Sequence, residues 1–235
     1  MELLADPQAW LAFFTLTALE LVLGIDNVIF IAILVDKLPA ERRNVARRLG
    51  LFLAMFMRIG LLLLLSILVG LTAPLFAVLG QAFSGRDLIL IGGGLFLIWK
   101  STREIHDLME GGHGPDPKGG RASFGSVLAQ IIVIDIVFSL DSIITAVGMV
   151  DQIEIMVAAV VVSVALMMAF SGAIARFISP RPTIKMLALA FLFMIGLVLI
   201  ADGLGHHIPK GYVYFAMAFS VLVKMLNTRV RRNKA

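Results

Sequence analysis

Six oxygen-bearing side chains, Glu20, Asp26, Asn27, Asp135, Asp141 and Ser142, lie inside apolar stretches of a chain of 235 residues that is 60% hydrophobic and only 15% charged. An acid at the centre of a membrane-spanning helix costs roughly 2.5–3.5 kcal/mol on insertion scales, so four facing lipid would cost on the order of 10–14 kcal/mol. They are expected to face the protein interior. Glu20, Gly24 and Asn27 follow i, i+4, i+7 spacing, as do Asp135, Ser139 and Ser142, so each set forms one polar stripe of a helix, with Thr17 extending the first. Asp26 and Asp141 flank these stripes, about 100° around from Asn27 and Ser142 and about 9 Å along the axis from Glu20 and Asp135. The cluster offers carboxylate, amide and hydroxyl oxygen but no imidazole or thiolate. Such a set suits hard divalent ions, Mg²⁺, Mn²⁺ or Ca²⁺, in preference to zinc or copper.

The two acid-bearing stretches echo one another. Adding 115 to Glu20, Asp26, Asn27 and Asp36 gives Asp135, Asp141, Ser142 and Asp151, so ALELVLGIDNVIFIAILVD is repeated as LAQIIVIDIVFSLDSIITAVGMVD.

The elements that position these residues are apolar runs, at 10–35, 47–71, 87–103, 124–150, 153–178, 184–202 and 211–228. Most approach the ~20 residues a helix needs to cross the hydrocarbon. Pro39, Pro74, the GGHGPDPKGG stretch from Gly111, Pro180, Pro182 and Pro209 fall between them, where helix breakers belong. The expected fold is an all-α membrane protein of about seven transmembrane helices. It divides into repeat one at 1–110, a cytoplasmic loop at 111–123, repeat two at 124–205, and a seventh helix with a basic tail at 206–235. An odd, three-helix repeat makes the second copy enter the membrane from the opposite face, which gives inverted-topology repeats with a site near the midplane.

All but three of the 20 basic residues flank alternate segments, the exceptions being Arg58, Arg86 and Lys210. The positive-inside rule then puts the N-terminus outside and the C-terminus in the cytoplasm. The N-terminus lacks a positive n-region and reads as a retained first helix, not a cleaved signal. The basic residues form no continuous stripe, so nucleic acid is not an expected partner. The absence of cysteine excludes disulfides, iron–sulfur clusters and thiolate chemistry.

Blander readings apply to several residues. Intramembrane acids and amides can be interhelical hydrogen-bond glue, although two acids on each of two related helices exceed what glue needs. Arg58, near the centre of its segment, requires a partner and reads either as a salt bridge to one of the acids or as a gating element. Asp36 and Asp151 read as solvated helix-end charges. His106, Asp107, Glu110, His113 and Asp116 belong to a Gly/Pro-rich stretch that reads as a solvated loop and not as a metal site. Gly92, Gly93 and Gly94 read as a close-packing surface and not as a phosphate loop, since no Lys-Ser/Thr follows.

LGIDN at 23–27, SLDS at 139–142 and GGLFLIWK at 93–100 resemble the TerC family of integral membrane proteins, and the similarity runs from Trp10 to about Asn227. The resemblance implies a seven-helix protein of a LysE-like transporter superfamily, in a bacterial inner membrane, with manganese efflux as its activity. It implies that Asp26, Asn27, Asp141 and Ser142 form the ion site and that Glu20 and Asp135 are a second acidic pair. The soluble nucleotide-like or CBS modules of some relatives are not expected here.

The expected function is therefore export of a divalent cation, Mn²⁺ first, by alternating access with proton antiport, with Glu20 or Asp135 taking the protons. Partners are the lipid bilayer, the metal ion as transported ligand and protons, with no separate cofactor; homo-oligomerisation is allowed. An enzyme is not expected. An intramembrane aspartyl protease would need only two acids and a GxGD sequence that is missing, and a membrane scaffold or assembly factor would use the acids as packing glue.

Overall fold

The computed structural model describes residues 6–64, 72–78, 81–110, 123–147 and 152–232. Seven helices occur among them: α1 (Pro7–Val35), α2 (Ala40–Leu63), α3 (Gly85–Met109), α4 (Phe124–Val147), α5 (Ile153–Ile178), α6 (Pro182–Gly203) and α7 (Lys210–Arg232). Between α2 and α3 lies an antiparallel hairpin of β1 (Pro74–Val78) and β2 (Gln81–Ser84), with Phe76 opposite Phe83 and their rings stacked at 5.7 Å. The chain is thus an all-α membrane protein with one short hairpin that the sequence reading did not anticipate.

Local chemistry explains the helix starts. Asp6 caps α1 by accepting the Gln8 N–H at 2.9 Å, and proline opens both α1 and α6, where its missing N–H and fixed φ cost nothing. α1, α5 and α6 are long and apolar enough to cross a membrane; α4 and α7 carry shorter apolar stretches, Phe124–Leu140 and Gly211–Lys224. α2 begins seven residues before the apolar run that marks it in the sequence, and its first turns carry Arg42, Arg43, Arg47 and Arg48. A helix needs only its backbone bonds, and long basic side chains can lie along it with their heads toward water. α3 likewise continues past Arg103 to Met109, so His106 and Asp107 are helical, and exposed His106 lies 3.3 Å from Glu110. His113 and Asp116 lie outside the described residues, as does Asp151.

The helices form two compact units, one of α1, α2, the hairpin, α4 and α5, the other of α3, α6 and α7. Each unit draws on both sequence repeats: the first takes two helices from each, the second takes the third helix of each plus α7. Within the first unit α1 packs most extensively on α5, and α2 packs on both α4 and α5. A Cβ on Gly24 would lie 2.3 Å from Met167 Sδ, so that glycine admits the Met167 side chain of α5.

Within the second unit α3 and α6 meet in near backbone contact. A Cβ on Gly94 would lie 2.6 Å from Gly196 O and 2.7 Å from Ile200 Cγ1; one on Gly196 would lie 2.8 Å from Gly94 O and 2.9 Å from Ile98 Cγ1. A Cβ on Gly203 would lie 2.7 Å from Asp87 O, so the two helices run antiparallel. The reciprocal pattern, Gly94 with Ile200 and Gly196 with Ile98, is that of two antiparallel helices crossing at facing glycines. Of the glycine triplet, Gly94 makes this contact, whereas Gly92 faces open space.

Candidate functional site

The polar stripes of α1 and α4 meet inside the first unit. Thr17, Glu20 and Asn27 on α1, Arg58 on α2, and Asp135, Ser139 and Ser142 on α4 are all buried, none more than 7% exposed. Each helix supplies its polar residues along one face, at spacings of one or two turns, and the bulky apolar residues that flank them, Leu16, Val28, Ile131, Ile134 and Ile143, are buried as well. Each of these buried polar groups needs a protein partner or remains costly.

Asp135 is the hub. Its Oδ1 accepts from Arg58 Nη2 at 2.8 Å, from Arg58 Nε at 3.1 Å and from Asn27 Nδ2 at 3.2 Å, while its Oδ2 accepts from Ser139 Oγ at 3.2 Å. Arg58 also donates through Nη1 to Glu20 Oε2 in a second buried ion pair. The guanidinium therefore bridges one acid from each sequence repeat, where the sequence suggested a partner in only one. Ser142 Oγ donates to the Ser139 carbonyl at 3.1 Å, back along its own helix.

Among the described residues, two buried oxygens of this region have no hydrogen-bond partner, Asn27 Oδ1 and Thr17 Oγ1. Asn27 spends its amide N–H on Asp135 and leaves its carbonyl lone pairs unused, the form of donor a hard cation takes. Asp26 and Asp141 stand in α1 and α4, one residue before Asn27 and Ser142, and their side chains lie outside the described residues. Among the described residues no group of three or more His, Cys, Asp or Glu side chains is set to hold a metal. With Glu20, Arg58 and Asp135 ionised, the described cluster carries one net negative charge in a low-dielectric setting, where such charges interact far more strongly than in water. An apolar groove of about 270 Å³ between α1 and α5, lined by Leu21, Ile25, Met167 and Phe170 among others, is not part of the cluster.

Three further polar contacts escaped the sequence reading. Arg47 is buried and donates Nε to Ser171 Oγ on α5 at 3.1 Å, a pairing across 124 positions that no local pattern signals. Asp36 accepts from Ser179 Oγ at 2.8 Å and pairs with Arg43 at 3.5 Å, so it joins the ends of α1 and α5 instead of being merely solvated. Ser139, by contrast, was legible from its i+4 spacing to Asp135.

Residues 5–235 match the family described as "Integral membrane protein TerC family". The UPF0053 inner membrane protein YoaE of Escherichia coli K12 is 52% identical over 99% of this chain, which spans 45% of that longer relative. A UPF0053 protein of Haemophilus influenzae is 53% identical, with 98% of each covered. The UPF0053 inner membrane protein YgdQ of Escherichia coli K12 is 51% identical over 98% of this chain and 96% of its own length. No solved structure matches significantly. Half-identity sustained across the whole chain leaves one assignment for the acid-bearing helix pair and the fold around it: the chain belongs to the TerC family of integral membrane proteins.

Proposed function

We propose that this protein exports a divalent metal cation, Mn²⁺ first among hard ions, across a bacterial inner membrane with its N-terminus outside and its C-terminus in the cytoplasm. The observation that carries the reading is the buried charge cluster shared by α1, α2 and α4, held among apolar helices and containing an unpartnered amide oxygen at Asn27. Ionisable groups inside a membrane protein are expensive and mark ion pathways. Arg58 already engages Glu20 and Asp135. Ion coordination in this proposal centres on Asp26, Asn27, Asp141 and Ser142, and Glu20 and Asp135 form the second acidic pair, held by Arg58 in the metal-free protein and open to the ion or to protons in its place. Transport proceeds by alternating access of the two inverted three-helix repeats.

Moving a doubly charged ion outward against an inside-negative potential costs about 4.6 kcal/mol per 100 mV, so a driving ion is needed, and proton antiport supplies it. The complete bonding of Arg58 to both acids favours a second reading, in which the cluster is interhelical glue in a membrane scaffold that assists other proteins. The experiment that separates them is Mn²⁺ flux in proteoliposomes of the purified full chain. Flux that rises with an imposed pH gradient and falls when the gradient is collapsed supports antiport; flux indifferent to the gradient removes the proton coupling. Absence of any metal flux leaves the scaffold reading.

A further inference from the structure

Among the described residues of the first unit two cations are buried, Arg47 beside Ser171 and Arg58, and of the two Arg58 is the one paired with the acids of α1 and α4. Arg58 lies between an acid of each sequence repeat, pairs with both, and is 3% exposed. The offset of 115 that relates Glu20 to Asp135 carries Arg58 onto Ala173, so the second copy supplies no matching charge. The guanidinium is permanently charged at any biological pH and is tethered to α2, so it can neither dissociate nor be neutralised by losing a proton. Its Nε and Nη2 converge on Asp135 Oδ1 at 3.1 and 2.8 Å, with Nε also 3.4 Å from Oδ2, a forked, charge-assisted contact. Beside it Asn27 Oδ1 accepts no hydrogen bond among the described residues, and a carbonyl oxygen of this kind is a ligand that a hard cation takes.

We infer that Arg58 is a built-in substitute for the transported cation: it holds Glu20 and Asp135 together when the ion is absent, and an entering divalent cation competes with it for those carboxylates. The inference rests on the transport reading above and adds a coupling role to it. Two buried carboxylates with no cation nearby would oppose any conformational change that carries the empty site through a low-dielectric interior. Arg58 offsets one of the two charges and the antiported protons the other, which allows the metal-free protein to reset. A loaded protein does not need it, because the metal supplies the positive charge. Arg58 thus separates two kinds of flux: net export, which requires return of the empty form, and one-for-one metal exchange, which does not.

The test uses full-length protein and Mn²⁺ as the probe, at pH 8, where protons substitute least for the missing charge. Arg58→Gln is expected to bind Mn²⁺ at least about tenfold more tightly than the wild type, since its competitor is gone. In proteoliposomes it should keep exchange of internal for external Mn²⁺ within about twofold while net efflux into metal-free medium falls at least about tenfold. Equal loss of exchange and net efflux, or weaker Mn²⁺ binding by a monodisperse variant, would show that Arg58 only supports the fold and would overturn the inference while leaving transport standing. Wild-type protein that moves no Mn²⁺ in either mode overturns both. Should Arg58→Gln fail to yield monodisperse protein, Arg58→Lys carries the same comparison: it loses the fork but keeps the charge, and its Mn²⁺ affinity should rise by about threefold or more. Unchanged or lower affinity in the lysine variant overturns the inference.

Discussion

Arg58 Nη2 lies 2.8 Å from Asp135 Oδ1, and the same guanidinium pairs with Glu20, so one residue of α2 ties the acid-bearing faces of α1 and α4 together. Neither acid could be buried alone without large cost, and neither helix could turn its polar stripe elsewhere without exposing charge to hydrocarbon. The position of the site and the packing of the first unit are therefore one problem with one solution.

That dependence is measurable as a coupling energy. Asp135→Asn should destabilise the protein by about 3 kcal/mol, the lower end for breaking a buried pair, because Arg58 retains Glu20. Arg58→Gln combined with Asp135→Asn should cost less than the sum of the single changes by about 1–3 kcal/mol. Unfolding by denaturing detergent, run as a double-mutant cycle, checks it; strictly additive costs would mean the two groups do not interact.

The glycine contact between α3 and α6 predicts a contrast within one triplet. Gly94→Ala brings a methyl group within 2.6 Å of the Gly196 carbonyl, which must move, whereas Gly92→Ala meets nothing within 4 Å. The first should lower stability by about 1–3 kcal/mol through overpacking, and the second should be neutral or stabilise by up to about 1 kcal/mol through helix propensity. Thermal unfolding in detergent, with both variants side by side, distinguishes them.

Under the transport reading, Asp26→Asn and Asp141→Asn should each reduce Mn²⁺ flux at least about tenfold, equivalent to about 1.4 kcal/mol, without a comparable loss of stability. The check is flux per correctly folded molecule in proteoliposomes. Full flux in both variants would remove these two acids from the ion site.

Asp36 joins Ser179 and Arg43 at the ends of α1, α5 and α2. Ser179→Ala should therefore cost about 0.5–1.5 kcal/mol, the usual net worth of one hydrogen bond, and leave the apparent affinity for Mn²⁺ unchanged. A rise in KM with unaltered stability would instead give Asp36 a role in attracting ions.

Much of this protein is written locally in its sequence. Helix length in a bilayer is set by the thickness of the hydrocarbon, so runs of apolar residues show where α1, α5 and α6 lie. Side-chain direction repeats every 3.6 residues, so the i, i+4, i+7 spacing of Glu20, Gly24 and Asn27 and of Asp135, Ser139 and Ser142 marks the buried stripes. Only the tertiary structure decided what those stripes meet. The pairing of Arg58 with both acids, the bond of Arg47 to Ser171 and the reciprocal contact of Gly94 and Gly196 join residues more than 30 positions apart, and no periodicity encodes them. The start of α2 among arginines and the hairpin at Pro74–Ser84 escaped for a related reason: a backbone can satisfy its hydrogen bonds as a helix or as paired strands, and polar or turn-rich sequence leaves that choice to its surroundings. Composition and period state which side chains must be hidden from lipid; packing selects the partners they are hidden with, because the cost of an unpaired buried charge exceeds any preference a local segment can express.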